Sequence, residues 1–504
     1  MAGVVFWPRR PLTIMSTSSK SKHIRLVAET QLRPGALKLP ALLMQAISHI
    51  APAVGLVLSI QYITSLAGVA SPFAYAVAVL IVFTLGFSLT QLAKHLPSAS
   101  GYYTYISHTV HPRAGFLTAW LYLLYDPTAT AINIAFMGYF FEKTMQAQFH
   151  IWCPWWLFVI VVTLLLTVIV YRGITPSAEA VIFLGGAEIA IVLALSIFGL
   201  LHPGPGGINL APYLPSRAPS MRGLYLGVVF SIFSVTGYDG IVPLAEESEN
   251  PRANLPRAIM GSIVCTGAFY LFCSWAVLVG WGTHDIGGFV RSAENPCFVL
   301  ARRLWGKGWI LILIAVLNSI LAVAIASTNA ATRVFFALGR AGVLPRSLSR
   351  VHPRYLTPAN AIWLQTILTL AVGLGLGFWI GPDQEFYFMG VAITLGLVLI
   401  YGISNWGVYR FYRGERRGEF RVWPHVICPL FSTAALIWVG VASIVPLPDA
   451  PLRYAPVLVG VWIIAGLMLL WFMHRQGKEG WLLKAGEAAH EKPATAAETP
   501  RRSI

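Results

Sequence analysis

Twelve apolar runs, each able to cross a hydrocarbon core that takes about 20 helical residues, constrain this chain more than any other feature. They lie near 41–66, 72–94, 113–140, 155–171, 177–201, 223–245, 257–282, 308–338, 358–381, 386–410, 424–446 and 452–474. With 56% of residues hydrophobic and 11% charged, the chain has too little polar surface to cover a water-soluble fold. Lipid cannot hydrogen-bond a bare backbone, so the expectation is an all-α integral membrane protein with 12 transmembrane helices.

The net charge of +16 would suggest nucleic acid for a soluble protein, but in a membrane protein its placement matters more. The connections after even-numbered runs carry Lys94 and Arg113; Arg172; Arg252 and Arg257; Arg340, Arg346, Arg350 and Arg354; Arg410, Arg413, Arg416, Arg417 and Arg421; Arg475 and Lys478. The opposite connections are poorer, apart from the one holding Arg291, Arg302, Arg303 and Lys307. By the positive-inside rule both termini are cytoplasmic, in the cell membrane. Residues 1–38 then form a cytoplasmic N-terminal tail, 39–475 the transmembrane domain and 476–504 a disordered cytoplasmic tail. Five cysteines (Cys153, Cys265, Cys273, Cys297, Cys428) show neither C-x-x-C nor metal-ligand spacing. No metal and no cofactor is expected.

Two runs are interrupted. Run 6 is broken at Thr236-Gly237, and run 1 carries Ser48-His49-Ile50-Ala51-Pro52-Ala53-Val54-Gly55 midway along its length. Pro52 lacks an N–H and its ring clashes with the carbonyl four residues back. A broken helix survives in lipid only where its loose backbone packs in protein or faces a polar cavity, so each break is a candidate ligand site. Each is also the first run of a block of five, the arrangement of two inverted repeats.

Three further stretches add a family resemblance. Pro97-Ser98-Ala99-Ser100-Gly101-Tyr102-Tyr103-Thr104-Tyr105, with Gly115-Phe116 and Trp120, enters run 3. Ser234-Val235-Thr236-Gly237-Tyr238-Asp239 lies within run 6, and Ala245-Glu246-Glu247, Asn250-Pro251 and Pro256-Arg257-Ala258 mark its exit. Arg333 to Arg346, with His352-Pro353-Arg354 and Thr357-Pro358, leaves run 8. In these motifs the chain resembles the amino acid-polyamine-organocation permeases over roughly 40–475. The resemblance implies two inverted five-helix repeats (about 41–201 and 223–410) with discontinuous helices 1 and 6, plus two peripheral helices (about 424–474), working by alternating access. It also implies an amino acid or related amine bound by Ile50, Ala51, Pro52, Ala53, Val54, Gly55, Phe233, Ser234, Val235, Thr236 and Gly237. Two departures stand out: Pro52-Ala53-Val54 replaces a glycine-x-glycine, and Glu188 stands where relatives often carry a lysine.

Several polar residues inside the runs have both structural and functional readings. Glu188, about eleven residues into run 5 and roughly 17 Å deep, is either a neutral hydrogen-bonded acid or a site for a proton or cation. Asp126, beside Pro127, either caps a restarting helix or titrates, and His49 either bonds in place or titrates. Asp239 either caps the second half of run 6 or meets a substrate ammonium. Ser327 and Thr328, with Asn329, either pack helices or complete a cation site with Glu188. Gly185 and Gly186 leave room beside Glu188 for a close neighbour, and Phe233 is placed to gate the cavity. Glu246 and Glu247 pair with Arg257 and Arg333 on the cytoplasmic side, as an inner gate.

The reading is therefore a secondary active permease for amino acids or related amines, coupled to protons or sodium or working by exchange. A polyamine or amine carrier is the near alternative, and a non-transporting nutrient sensor the distant one. No H-E-x-x-H or G-x-S-x-G motif supports an enzyme, and no pore-loop repeat supports a channel.

Overall fold

The computed structural model describes residues 32–445 and 449–476, so most of the expected N-terminal tail and the expected C-terminal tail lie outside the described residues. The described residues are helical nearly throughout. In chain order the α-helices are α1 (Leu39–Ile50), α2 (Pro52–Val57), α3 (Ile60–Ala67), α4 (Ser71–Ala93), α5 (Tyr102–Thr109), α6 (Pro112–Tyr122), α7 (Asp126–Phe149), α8 (Trp155–Tyr171) and α9 (Ile174–Leu201). They continue as α10 (Met221–Val235), α11 (Pro251–Trp281), α12 (Ile286–Arg291), α13 (Pro296–Trp305), α14 (Ile310–Ala341), α15 (Ala359–Ile380), α16 (Pro382–Gly414), α17 (Cys428–Ala442) and α18 (Ala455–Arg475). Each of the twelve runs is helical, and among the described residues ten helical stretches are long and apolar enough to span a bilayer. The helix Trp155–Tyr171 is apolar but shorter.

Apolar side chains lie outside as well as inside: Phe183, Trp379 and Leu430 are among the most exposed large apolar residues. An all-round apolar surface of this kind is solvated by lipid tails, while internal helical hydrogen bonds satisfy the backbone. Proline sits in the first turn of many helices, among them Pro52, Pro72, Pro112, Pro127, Pro251 and Pro382. There its missing N–H removes a donor that would have had no helical partner. Trp120 on α6 and Trp462 on α18 stack at 4.7 Å, and each indole donates to the other's carbonyl (2.7 and 2.8 Å).

Three runs are discontinuous. Run 1 stops at Ile50, turns at Ala51 with φ 56 and ψ 64, and restarts at Pro52. The Ala51 N–H still reaches the Ile47 and Ser48 carbonyls, so the break is confined to one residue that proline prevents from continuing the helix. Run 6 stops at Val235, passes through extended Thr236 and Gly237 at φ 129, and continues as a 3-10 helix, Tyr238–Glu247. Run 3 breaks at Leu123–Tyr125, between α6 and α7.

At the arginine-rich end the chain is tied shut. Arg333 on α14 donates to both Glu247 oxygens (Nε 2.8 Å, Nη2 3.2 Å), with both side chains fully buried. Arg340 makes a more exposed fork to Glu246, whose Oε1 also accepts the Ala99 N–H at 3.2 Å. Leu37 and the 247–249 backbone exchange two further bonds, 2.9 and 3.0 Å. The expected pair of ion pairs is thus present with one partner changed: Arg340 takes the place given to Arg257, which is exposed. The reason is reach, since Arg340 lies two turns beyond Arg333 on the same helix.

Candidate functional site

The breaks in runs 1 and 6 face each other. α1 ends at Ile50 and α10 ends at Val235, so two helix C-termini, each the negative end of a macrodipole, converge on one place. Two carboxylates are buried there as well, Asp126 at the start of α7 and Asp239 in the 3-10 segment, both with no exposed surface. The two helix C-termini and the two carboxylates favour a cation here.

His49 is the cationic-capable side chain that fills it. Its Nδ1 lies 2.7 Å from the Gly237 carbonyl oxygen and its Nε2 2.9 Å from Asp126 Oδ1. A carbonyl only accepts, so Nδ1 carries a hydrogen, and the Nε2–Asp126 contact needs a second one. The pair therefore holds one exchangeable proton, as imidazolium and carboxylate or as imidazole and carboxylic acid. Tyr122 donates to the other Asp126 oxygen, and Tyr102 donates to Asp239 Oδ2 at 3.0 Å. Asp239 Oδ1 has no hydrogen-bond partner among the described residues. Tyr125 packs 6.0 Å from the His49 ring, and Tyr401 closes the far side of Asp239. A small cavity beside this cluster is lined by Tyr102, Tyr238, Tyr401, Ser404 and Asn405.

The expected break residues take distinct roles. Gly55 donates to Ala51 O at 2.8 Å, and its own carbonyl accepts from Tyr75 at 3.3 Å. The Val54 N–H reaches Ser319 Oγ at 3.4 Å. Ser234 O accepts from Tyr270 at 2.7 Å, and Thr236 Oγ1 returns to Ile232 O at 2.7 Å. Ile50, Ala53 and Val235 are buried, whereas Phe233 is 47% exposed with its ring toward Gly390. Tyr270 touches both breaks, because a Cβ on Gly55 would strike its hydroxyl. Tyr270→Phe is expected to lower the stability of purified protein by about 1 kcal/mol, read as a fall in thermal midpoint.

The expected cation constellation is divided. Glu188 is fully buried with no hydrogen-bond partner for either oxygen among the described residues, and the hydroxyl beside it on α14 belongs to Ser319. Ser327 is eight residues further along α14, about 12 Å away along the axis, and Thr328 pairs with Thr130 at 3.4 Å. Asn329 turns to Ser177 and Arg333. Of the two glycines beside Glu188, Gly185 backs onto Ser48 while Gly186 faces open space. Neither Asp126 nor Asp239 caps a helix through its side chain; both are taken by tyrosines, and Asp126 also by His49. Tyr102 stood within a quoted motif, but Tyr122, Tyr270, Tyr401 and Ser319 carried no sequence signal, being ordinary hydroxyls on apolar helices.

Residues 41–476 match the family described as amino acid permease. The low-affinity putrescine importer PlaP of Escherichia coli is 29% identical over 314 residues, 60% of this chain and 67% of that protein. The branched-chain amino acid permease BcaP of Lactococcus lactis is 24% identical over 441 residues, 83% and 85% of the two chains. The serine/threonine exchanger SteT of Bacillus subtilis is 24% identical over 370 residues, 72% and 80%.

Proposed function

This chain belongs to the amino acid permease family, and from that premise we propose how a secondary transporter of amino acids or amines works with these residues. Its substrate sits between the breaks of runs 1 and 6, with its ammonium at the Gly237 carbonyl and Asp239. Twelve spans, arranged as two inverted five-helix repeats and two peripheral helices, rock about that site. The arginine-rich end, with both termini, is cytoplasmic by the positive-inside rule.

The observation that carries this reading is the convergence of two helix C-termini and two buried aspartates on a single buried histidine. Such a site offers a cation several oxygens and offers an anion little. Pro52 has no N–H and Val54 N–H is directed to Ser319, so the usual donors of a helix N-terminus are reduced at α2. That favours an amine lacking a carboxylate, in line with the putrescine importer among the relatives. The amino acid reading keeps its support from the permease BcaP, similar over more of the chain.

Reconstituted vesicles preloaded with putrescine, leucine or serine and given the same labelled compound outside test the reading directly. Counterflow of at least one is expected, with putrescine ahead of leucine if the Pro52 argument holds. No counterflow of any amine or amino acid in a wider panel sinks the proposal.

Glu188 is a coupling group in this reading, a fully buried carboxyl beside Ser319 with no hydrogen-bond or salt-bridge partner among the described residues. A lone buried carboxylate is costly, so it stays neutral or takes a cation. Glu188→Gln is expected to flatten the pH dependence of uptake while leaving the fold intact. An unchanged pH profile removes Glu188 from coupling.

A further inference from the structure

We infer that the His49–Asp126 pair is a built-in stand-in for the substrate's ammonium, so that binding an amine at the run 6 break expels a proton and the carrier exchanges one for the other. The inference rests on the proposed site and adds the chemistry of its coupling.

The argument begins with who occupies the Gly237 carbonyl. A helix break leaves carbonyls that ask for donors, and this one already has two: the Gly240 N–H at 3.2 Å and His49 Nδ1 at 2.7 Å. The imidazole bond is the shorter, and the ring is held for it from both sides. Gly240 presses flat against the ring, where any Cβ would collide with Nδ1, and Asp126 grips Nε2 from behind at 2.9 Å. The site thus holds an N–H donor in the position a substrate ammonium would need, backed by the exchangeable proton that His49 and Asp126 share at Nε2.

An ammonium cannot share that position. To donate to Gly237 O it must move the imidazole aside, and once Nδ1 leaves, the ring loses one of its two anchors. With a second cation arriving beside Asp126 and Asp239, the proton held by the pair becomes the expendable charge. Charge then balances: one ammonium enters, one proton leaves, and the two carboxylates keep the same total counter-charge.

The neighbouring groups leave His49 as the place where this exchange occurs. From α7 it faces Asp126, which is bonded to Tyr122 at the end of α6, and from the break between those helices Tyr125; from the 3-10 segment it faces Asp239, which is bonded to Tyr102. On α9 Glu188 lies on the Ser48 side of α1, where Gly185 meets Ser48. On α11 Tyr270 is committed to Ser234 O, and on α14 Arg333 is committed to Glu247.

The test is calorimetric titration of the full-length protein in detergent with putrescine and with leucine, in phosphate and in Tris at the same pH. The two buffers differ in ionisation enthalpy, so the difference in heat counts protons. Release approaching one proton per ligand is expected, with affinity tightening toward tenfold per pH unit as pH rises, since proton and ligand compete. His49→Gln, which keeps a donor but cannot carry the charge, is expected to lose the proton release and flatten the pH dependence. A wild-type protein that binds either ligand with no proton released, or with a proton taken up, overturns the inference while leaving the transport reading standing, and this holds even if the variant fails to fold. Unchanged proton release in His49→Gln also overturns it. Binding of neither ligand, together with absent counterflow, removes the transport reading and this inference together.

Discussion

Replacing Arg333 alone with glutamine is expected to cost this fold about 3–5 kcal/mol, because Glu247 is left as an unpaired charge with no exposed surface. Purified Arg333→Gln should melt well below the parent or fail to accumulate in the membrane. The size follows from desolvation rather than attraction: in the pair, the guanidinium covers both carboxylate oxygens at 2.8 and 3.2 Å and has Asn329 and Thr332 as further acceptors. Removing one member leaves the other with nothing to replace lost water.

The double variant Glu247→Leu with Arg333→Met separates stability from gating. Two apolar side chains of similar size need no counter-charge, so most of the lost stability should return. Uptake should not return with it. The run 6 segment would still be tied at Glu246 to Arg340 and at the Leu37 backbone, but the central lock would be gone. A double variant that is both stable and fully active assigns the pair to folding alone, and a single variant as stable as the parent defeats the burial argument.

The two breaks were legible in the sequence because their causes are local. Pro52 denies one N–H whatever surrounds it, and Gly237 marks a place where the chain needs a conformation other residues avoid. The partnerships across the breaks were not legible. His49 and Asp126 stand 77 positions apart and each invited a solitary reading; α1 and α7 both pack on α14, and only that shared support brings the two side chains together as one proton-sharing unit. Glu188 was matched to the wrong part of α14 for a similar reason. Hydroxyls recur along that helix at Ser319, Ser327 and Thr328, and helical period alone does not set the height at which α9 meets it. Arg340 replaced Arg257 because the 3-10 path of 238–247 delivers Glu246 to α14, and no residue pattern in 238–247 distinguishes a 3-10 half-helix from an α-helical one.

Gly237→Ala is expected to reduce uptake efficiency by about 100-fold, equivalent to roughly 2.7 kcal/mol at the binding or translocation step. Two causes act together. At φ 129 an L side chain is outside its allowed wells, which costs about 1–3 kcal/mol. The added Cβ would also lie 2.7 Å from the His49 carbonyl oxygen and 3.0 Å from its carbon, so the α1 backbone must retreat. The direction of that retreat matters, since it pulls His49 from the Gly237 carbonyl and opens the junction where both half-helices meet. Gly186→Ala on α9 is the matched comparison: its Cβ enters open space, and alanine in a helix is favoured over glycine by about 1 kcal/mol. It should transport normally and melt no lower than the parent. If Gly237→Ala does the same in a counterflow assay, the run 6 break is not the pivot of the site, because its strained glycine can be filled without consequence.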